Sequence, residues 1–244
     1  TIMAAQLDVK LKGETDINFI LGATNDEGKI EAIKNNTLGE IESRFARLRT
    51  EKQKLIQHNH VRTPDEHFNR MVNIWLKQGA SFGAAWCRWG WMGYRDIVQH
   101  GLGVSALDPA RTREILVEAF RHQFQNGFAL RGWNPIDEKS YSDSALWLIF
   151  TLTAYLKETG DMAFLDERIP FHDQDEASVM GHIEAALDSL ESNKGAHGLC
   201  LIKFGDWNDS LTAVGRLGRG ESVFLSQLYA EALNEIIDLE NFRS

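Results

Sequence analysis

The chain has 244 residues, 43% hydrophobic and 25% charged, with a formal charge of −9 at pH 7 and a pI near 5.4. That length and balance fit a globular chain burying a sizeable core in one or two domains, and exclude a disordered or low-complexity one. The negative charge, with no basic run, excludes nucleic acid and anionic membrane surfaces as partners, and the longest apolar stretch, Ala145–Phe150, is too short to cross a bilayer.

Leu7, Val9 and Leu11 alternate with Asp8, Lys10 and Lys12; Gly13-Glu14 interrupts, and Ile17, Phe19 and Leu21 resume the period of two. This is a β-hairpin pattern, and because a lone hairpin is marginal in water it reads as the last two strands of a larger sheet, over residues 1–25. From Asp26 the period becomes helical: Leu38, Ile41, Phe45 and Leu48 form a stripe on a strongly charged segment, which predicts a linker helix docked on one face within residues 26–60. Thr63-Pro64-Asp65-Glu66 combines an N-cap, proline at the first helical position and a capping-box glutamate. Phe68, Met71, Val72, Trp75 and Leu76 supply the expected buried face. Asp108-Pro109 repeats the start signal, followed by the stripe Ile115, Leu116, Ala119, Phe120 and Phe124 as far as Asn126-Gly127.

The segment Asp143–Thr159 is apolar around nearly its whole circumference, which predicts a helix buried on all sides. Val179, Ile183, Ala186, Leu187 and Leu190 mark another amphipathic helix, and Val223, Leu225, Leu228, Ala232, Leu233, Ile236 and Ile237 a last one. The expected fold is therefore mainly α. Residues 61–244 read as part of an α/α barrel with two layers of helices and functional loops at one end, and a helical bundle without a cleft is the alternative.

Two stretches carry chemistry. In Leu199–Leu211 the residues Asp206, Trp207, Asn208 and Asp209 put two carboxylates, an indole and an amide within four positions, a composition suited to stacking and hydrogen-bonding a sugar, or to an ordinary loop with a helix cap. Trp86, Arg88, Trp89, Trp91, Tyr94, Arg95, Asp96, Gln99 and His100 form the second. Aromatic faces pack on pyranose C–H faces while Arg, Asp and Gln read hydroxyls; core packing of the tryptophans is the competing reading. Cys87 and Cys200 match no metal or redox spacing and fit a reducing, cytoplasmic setting. The eight histidines, among them His58, His60, His172 and His197, form no convincing ligand set, so no metal is expected.

Three motifs in this order, Gly93-Tyr94-Arg95-Asp96 with Gln99, Tyr141-Ser142-Asp143-Ser144 with Leu146-Trp147-Leu148, and Gly205-Asp206-Trp207-Asn208-Asp209 with Gly220-Glu221-Ser222-Val223, resemble the inverting glycoside phosphorylases of glycoside hydrolase family 94. The run from Lys203 to Leu211 resembles the 1,2-β-oligoglucan phosphorylase branch most. The resemblance implies an N-terminal β-sandwich, a helical linker and an (α/α)6 barrel. On that reading the chain, which starts on Thr1, is a piece of a longer protein that holds the sandwich's final hairpin, the linker and the first part of the barrel.

The resemblance also implies a mechanism. One carboxylic acid protonates the glycosidic oxygen and inorganic phosphate, a co-substrate rather than a cofactor, attacks the anomeric carbon from the opposite face. No general base is required, whereas an inverting hydrolase needs a second carboxylate about 6.5–9.5 Å away to activate water. By the motif match Asp209 is the acid, expected to be kept protonated by burial beside Trp207. Arg95 and Asp96 match the positions that hold the sugar, Trp207 matches its platform, and Arg88 is the candidate phosphate-facing arginine. Asp143 lines the pocket or caps its helix, and the cap is the favoured role. His100 stands where many relatives have an acid, which leaves fine sugar specificity open. The remaining phosphate site is expected beyond Ser244, and relatives are commonly homodimers. Three alternatives stand beside this reading: an inverting hydrolase using Glu221 or Asp206 as second acid, a cyclic β-1,2-glucan synthase module, and a non-catalytic glycan-binding module.

Overall fold

The computed structural model describes residues 10, 12–14, 17–18, 26–87 and 92–243. The expected hairpin therefore falls mostly outside the described residues, as do Arg88, Trp89 and Trp91. Packing divides the chain into two units, Thr1–Lys54 and Leu55–Ser244. In the first, Asp26 caps a short 3-10 turn that leads into α1 (Ile30–Gly39), and α2 (Ile41–Gln57) follows after Glu40, whose φ of −118° breaks the helix. One linker helix was expected and two are found. Neither buries a residue, and Leu38, Phe45 and Leu48 are about half exposed. Pairs such as Lys34–Glu31 and Arg44–Glu40 support these helices by a few tenths of a kcal/mol each, about 0.2–0.5.

The second unit opens with α3 (Glu66–Arg70), which passes through a π-helical turn, Met71–Leu76, into α4 (Lys77–Trp86). The cap is Asp65, two residues later than the sequence pattern suggests: its carboxylate accepts the His67 and Phe68 N–H groups at 2.8 and 3.1 Å. The expected apolar face is inverted. Phe68, Met71, Trp75 and Leu76 are exposed, Trp75 by 73%, while Asn69, Asn73 and Lys77 are buried. The cause is the preceding segment, which runs along this helix and leaves backbone groups that need partners. Asn73 accepts the Val61 N–H at 2.9 Å and donates to the Val61 carbonyl at 2.7 Å. Asn69 does the same for Thr63, and the Lys77 ammonium donates to the carbonyls of Ile56, His58 and Asn59.

β1 (Met92–Gly93) leads directly into α5 (Tyr94–Val104) and pairs antiparallel with β2 (Gly132–Asn134), which pairs with β3 (Ile136–Asp137). Between them α6 (Pro109–Phe120) starts as the sequence predicts, with Pro109 first and the Asp108 carboxylate accepting the Arg111 N–H at 3.0 Å. α7 (Ser144–Thr159) ends at Gly160, whose φ of +69° needs no side chain. β4 (Arg168–Phe171) and β5 (Gln174–Ser178) form a hairpin that feeds α8 (Val179–Glu191), and α9 (Val223–Arg243) closes the described chain.

α7 packs against α5, α6, α8 and α9, which is why it is apolar nearly all round. At Gly101 on α5 a Cβ would lie 3.2 Å from the Ile115 side chain and 3.3 Å from Thr151, so the missing side chain lets α5 sit close to both neighbours. Leu225, Tyr229, Ala232, Ile236 and Leu239 form the buried face of α9, whereas Val223 and Ile237, expected inside, face out. Among the described residues the fold is mainly helical with two small antiparallel sheets. No described helix is long and apolar enough to cross a membrane.

Asn73→Ala removes both hydrogen bonds to Val61 and strands its backbone groups, so unfolding free energy should fall by about 1–3 kcal/mol. Urea denaturation checks this; a loss under about 0.5 kcal/mol would show that the segment preceding α3 contributes little.

Candidate active site

The N-terminal ends of α5 and α7 and the loop ahead of α9 meet at one guanidinium. Arg95 stands in the first turn of α5, where Gly93 is in extended backbone and the Tyr94 N–H donates to the Arg131 carbonyl at 2.9 Å. Its side chain is 9% exposed. Nη1 donates to Asp143 Oδ1 and Oδ2 at 3.2 and 3.3 Å and to the Asp206 carbonyl at 2.6 Å, while Nη2 donates to Asp209 Oδ1. The guanidinium carbon lies 4.4 Å from the centroid of Tyr141 and 5.0 Å from that of Trp207, so the cation is stacked as well as paired. Burial by itself lowers the Arg95 pKa, but Asp143 and Asp209 outweigh it and raise the pKa, fixing the positive charge.

Asp143 directly precedes α7 but makes no capping hydrogen bond, so the favoured cap role is corrected. It is fully buried, paired with Arg95, and accepts the Trp147 indole N–H at 3.0 Å. Burial raises its pKa, with Arg95 and the indole working against that. Trp147 lies 5.4 Å from Trp207, centroid to centroid, and tilted against it. An i,i+4 relation puts Asp143 and Trp147 on one face at the start of α7, a signal present in the sequence but not used there. Tyr141 was likewise missed as the face beneath Arg95.

The loop bearing Trp207 and Asp209 is tied down from behind. The Ser142 N–H donates to the Gly205 carbonyl at 2.8 Å and its hydroxyl to the Ile202 carbonyl at 2.9 Å. Any Cβ at Gly205 would come within 2.7 Å of the Tyr141 ring. Asp206 is buried and inward: it accepts the Asn208 N–H at 2.9 Å and the Ser222 hydroxyl, and Ser222 in turn caps α9 by accepting the Leu225 N–H at 3.0 Å.

The structure thus brings Arg95, Trp207 and Asp209 together, with Asp96 next to Arg95 on the same turn. One expectation is overturned. Asp209 is not shielded beside Trp207: its side chain is 66% exposed and ion-paired with Arg95, because the 3-10 turn Asp209–Leu211 that carries it stands at the surface. His100 packs its ring over Gly83 on α4, where a Cβ would lie 2.5 Å from Nδ1. Glu221 receives the His197 N–H at 2.9 Å and pairs with His197 Nδ1 at 2.8 Å; the backbone bond and the imidazole hold its pKa below the usual carboxylate value.

A stacked arginine, two indoles and a carboxylate lie together where α5 and α7 begin, a composition suited to stacking and hydrogen-bonding a sugar. Residues 52–244 match the catalytic domain of the Glycosyl hydrolase 94 superfamily, and the chain belongs to that family. It is 40% identical to a solabiose phosphorylase of Paenibacillus borealis over 82% of this chain and 26% of that protein, and 30% identical to an N,N'-diacetylchitobiose phosphorylase of Vibrio furnissii over 92% and 32%. A 1,2-beta-oligoglucan phosphorylase of Listeria innocua is 29% identical over 53% of the chain and 13% of that protein, so overall similarity does not single out the β-1,2 branch. The chain spans about a quarter to a third of the length of the first two relatives.

Arg95→Met removes one member of a buried ion pair and should cost about 3–5 kcal/mol at neutral pH. A carboxylic acid whose pKa in the folded state lies above the unfolded value binds its proton more tightly when folded, so its burden on stability grows as pH rises through that interval. Burial already raises Asp143, and loss of Arg95 raises it further; the deficit of the variant should therefore shrink between about pH 7 and about pH 5. Thermal denaturation at both pH values checks this, and a deficit that grew on acidification would contradict it.

Proposed function

We propose that the protein is an inverting glycoside phosphorylase that converts a β-glucoside oligosaccharide and inorganic phosphate, with no other cofactor, into α-glucose 1-phosphate. The observation that carries this reading is the junction of Asp209 and Trp207 with Arg95 in a member of a family whose relatives bear phosphorylase names. On this reading residues 61–244 contribute the first part of an (α/α)6 barrel, after a linker over 26–60 and the end of a β-sandwich over 1–25. The complete protein acts in the cytoplasm as a homodimer. The sugar to be cleaved stacks on Trp207 and is held by Arg95 and Asp96, and Arg88 faces phosphate.

The chemistry follows from one acid. Asp209 gives its proton to the glycosidic oxygen as the bond to the anomeric carbon breaks, and a phosphate oxygen bonds to that carbon from the opposite face. Phosphate is already a charged nucleophile, so no base is required. Asp209 is ion-paired with Arg95, and an entering sugar that takes over the Arg95 Nη2 donor frees the carboxyl group to act. Both second acids that a hydrolase would use are engaged: Asp206 by Asn208 and Ser222, Glu221 by His197. Their commitment favours phosphate over activated water as the nucleophile. The likeness of Lys203–Leu211 to the 1,2-β-oligoglucan branch supports a β-1,2-linked substrate.

A panel of β-1,2-, β-1,3- and β-1,4-glucosides, given to the full-length encoded polypeptide with and without phosphate, tests the reading. Glucose 1-phosphate should form only with phosphate, and best from the β-1,2 substrate. Asp209→Asn should lower kcat at least 10²- to 10⁴-fold, roughly the worth of a general acid, while sugar binding persists. Phosphate-independent release of glucose would make the protein a hydrolase, and saturable sugar binding without turnover a glycan-binding module.

A further inference from the structure

We propose that Asp143 is a positioning residue for this reaction: it holds the Arg95 guanidinium and, through Trp147, the Trp207 platform in register with Asp209. The inference rests on the phosphorolysis reading for its kinetic consequence, but its geometric part stands on contacts alone. Asp143 is fully buried and acts only through its neighbours. Its Oδ2 is shared by two donors from different elements, Arg95 Nη1 at 3.3 Å and the Trp147 indole at 3.0 Å. Trp147 in turn leans on Trp207, 5.4 Å away. One carboxylate therefore locks the arginine end that faces away from Asp209 and the indole behind the platform.

The same carboxylate has an electrostatic task. Arg95 is a buried cation with two carboxylate partners, Asp143 and Asp209. When Asp209 turns toward a glycosidic oxygen, its charge moves away from the guanidinium, and a lone buried cation is costly. Asp143 remains as the buried counter-ion, so Arg95 keeps a partner while Asp209 engages the substrate. Without Asp143, Arg95 would rest on Asp209 alone and hold it away from the substrate. The other charged groups nearby do not substitute: the Asp206 carboxylate is committed to Ser222 and Asn208, and beyond Tyr141 Arg131 is paired with Asp137 at 3.0 Å.

The test compares wild type, Asp143→Asn, Asp143→Glu and Trp147→Phe in the full-length encoded polypeptide. An asparagine keeps the size but loses the charge and one acceptor, whereas a glutamate keeps the charge. Asp143→Asn should lower kcat by about 10²-fold. Asp143→Glu should recover much of that loss, because Arg95 regains its counter-ion. Trp147→Phe keeps the Arg95–Asp143 pair and loses only the indole bond, so KM should rise several-fold with kcat little changed. Equal losses of kcat in Asp143→Asn and Asp143→Glu would reduce Asp143 to a structural residue and overturn the proposal. If Asp143→Asn fails to fold, an unchanged KM in Trp147→Phe would overturn it instead. If wild type shows no phosphorolysis, the functional reading falls separately, and the glucoside concentration that half-saturates tryptophan quenching decides: a higher value in Trp147→Phe supports the positioning role, and an equal value contradicts it.

Discussion

A guanidinium charge withdrawn from water is the constraint around which the second unit is arranged. Desolvating an arginine is unfavourable by several kcal/mol unless paired, hydrogen-bonded partners surround it. Arg95 obtains them from segments far apart in sequence: Asp143 ahead of α7, and the Asp206 carbonyl and Asp209 carboxylate in the loop ahead of α9, with Tyr141 and Trp207 on its faces. None of these segments reaches Arg95 unless α5, α7 and α9 bring the same ends together. The hydrophobic packing of α7 against its four helical neighbours supplies the driving force, and the charge cluster fixes which end becomes the site.

Burial and exposure are divided within one short loop. Asp206 looks inward, bridging Asn208 and the Ser222 hydroxyl that caps α9, so the last helix and the site loop share an anchor. Three residues later Asp209 looks outward, with Arg95 as the partner that orients it. The two carboxylates of Asp206-Trp207-Asn208-Asp209 are thus not equivalent. The buried one holds the loop to α9, and the exposed one is held at the surface by Arg95.

Much of the fold was legible because its signals are local. The Asp108-Pro109 start, the all-round apolar α7 and the stripe of α8 each depend on spacing within one helix, and each appears as read. Failures arose where a non-local partner overrode the pattern. Phe68, Met71 and Trp75 form a convincing apolar face, yet the polar side of α3 and α4 is buried because Asn69, Asn73 and Lys77 must satisfy the backbone of residues 56–63. Asp143 resembles a helix cap in sequence because the buried cation it serves is supplied from position 95. The approach of Arg95 to Asp209 is carried by family motifs, whereas the exposure of Asp209 depends on how a 3-10 turn sits on the surface, which no spacing rule encodes.

The measurement that bears most directly on the central role of Arg95 is a double-mutant cycle between Arg95 and Asp143, read as unfolding free energy for Arg95→Met, Asp143→Leu and the pair. Two buried partners that exist for each other should couple by about 2–3 kcal/mol, with the double variant recovering much of what each single loses. Losses that simply add, within about 0.5 kcal/mol, would mean that the guanidinium does not organise this end of the helices.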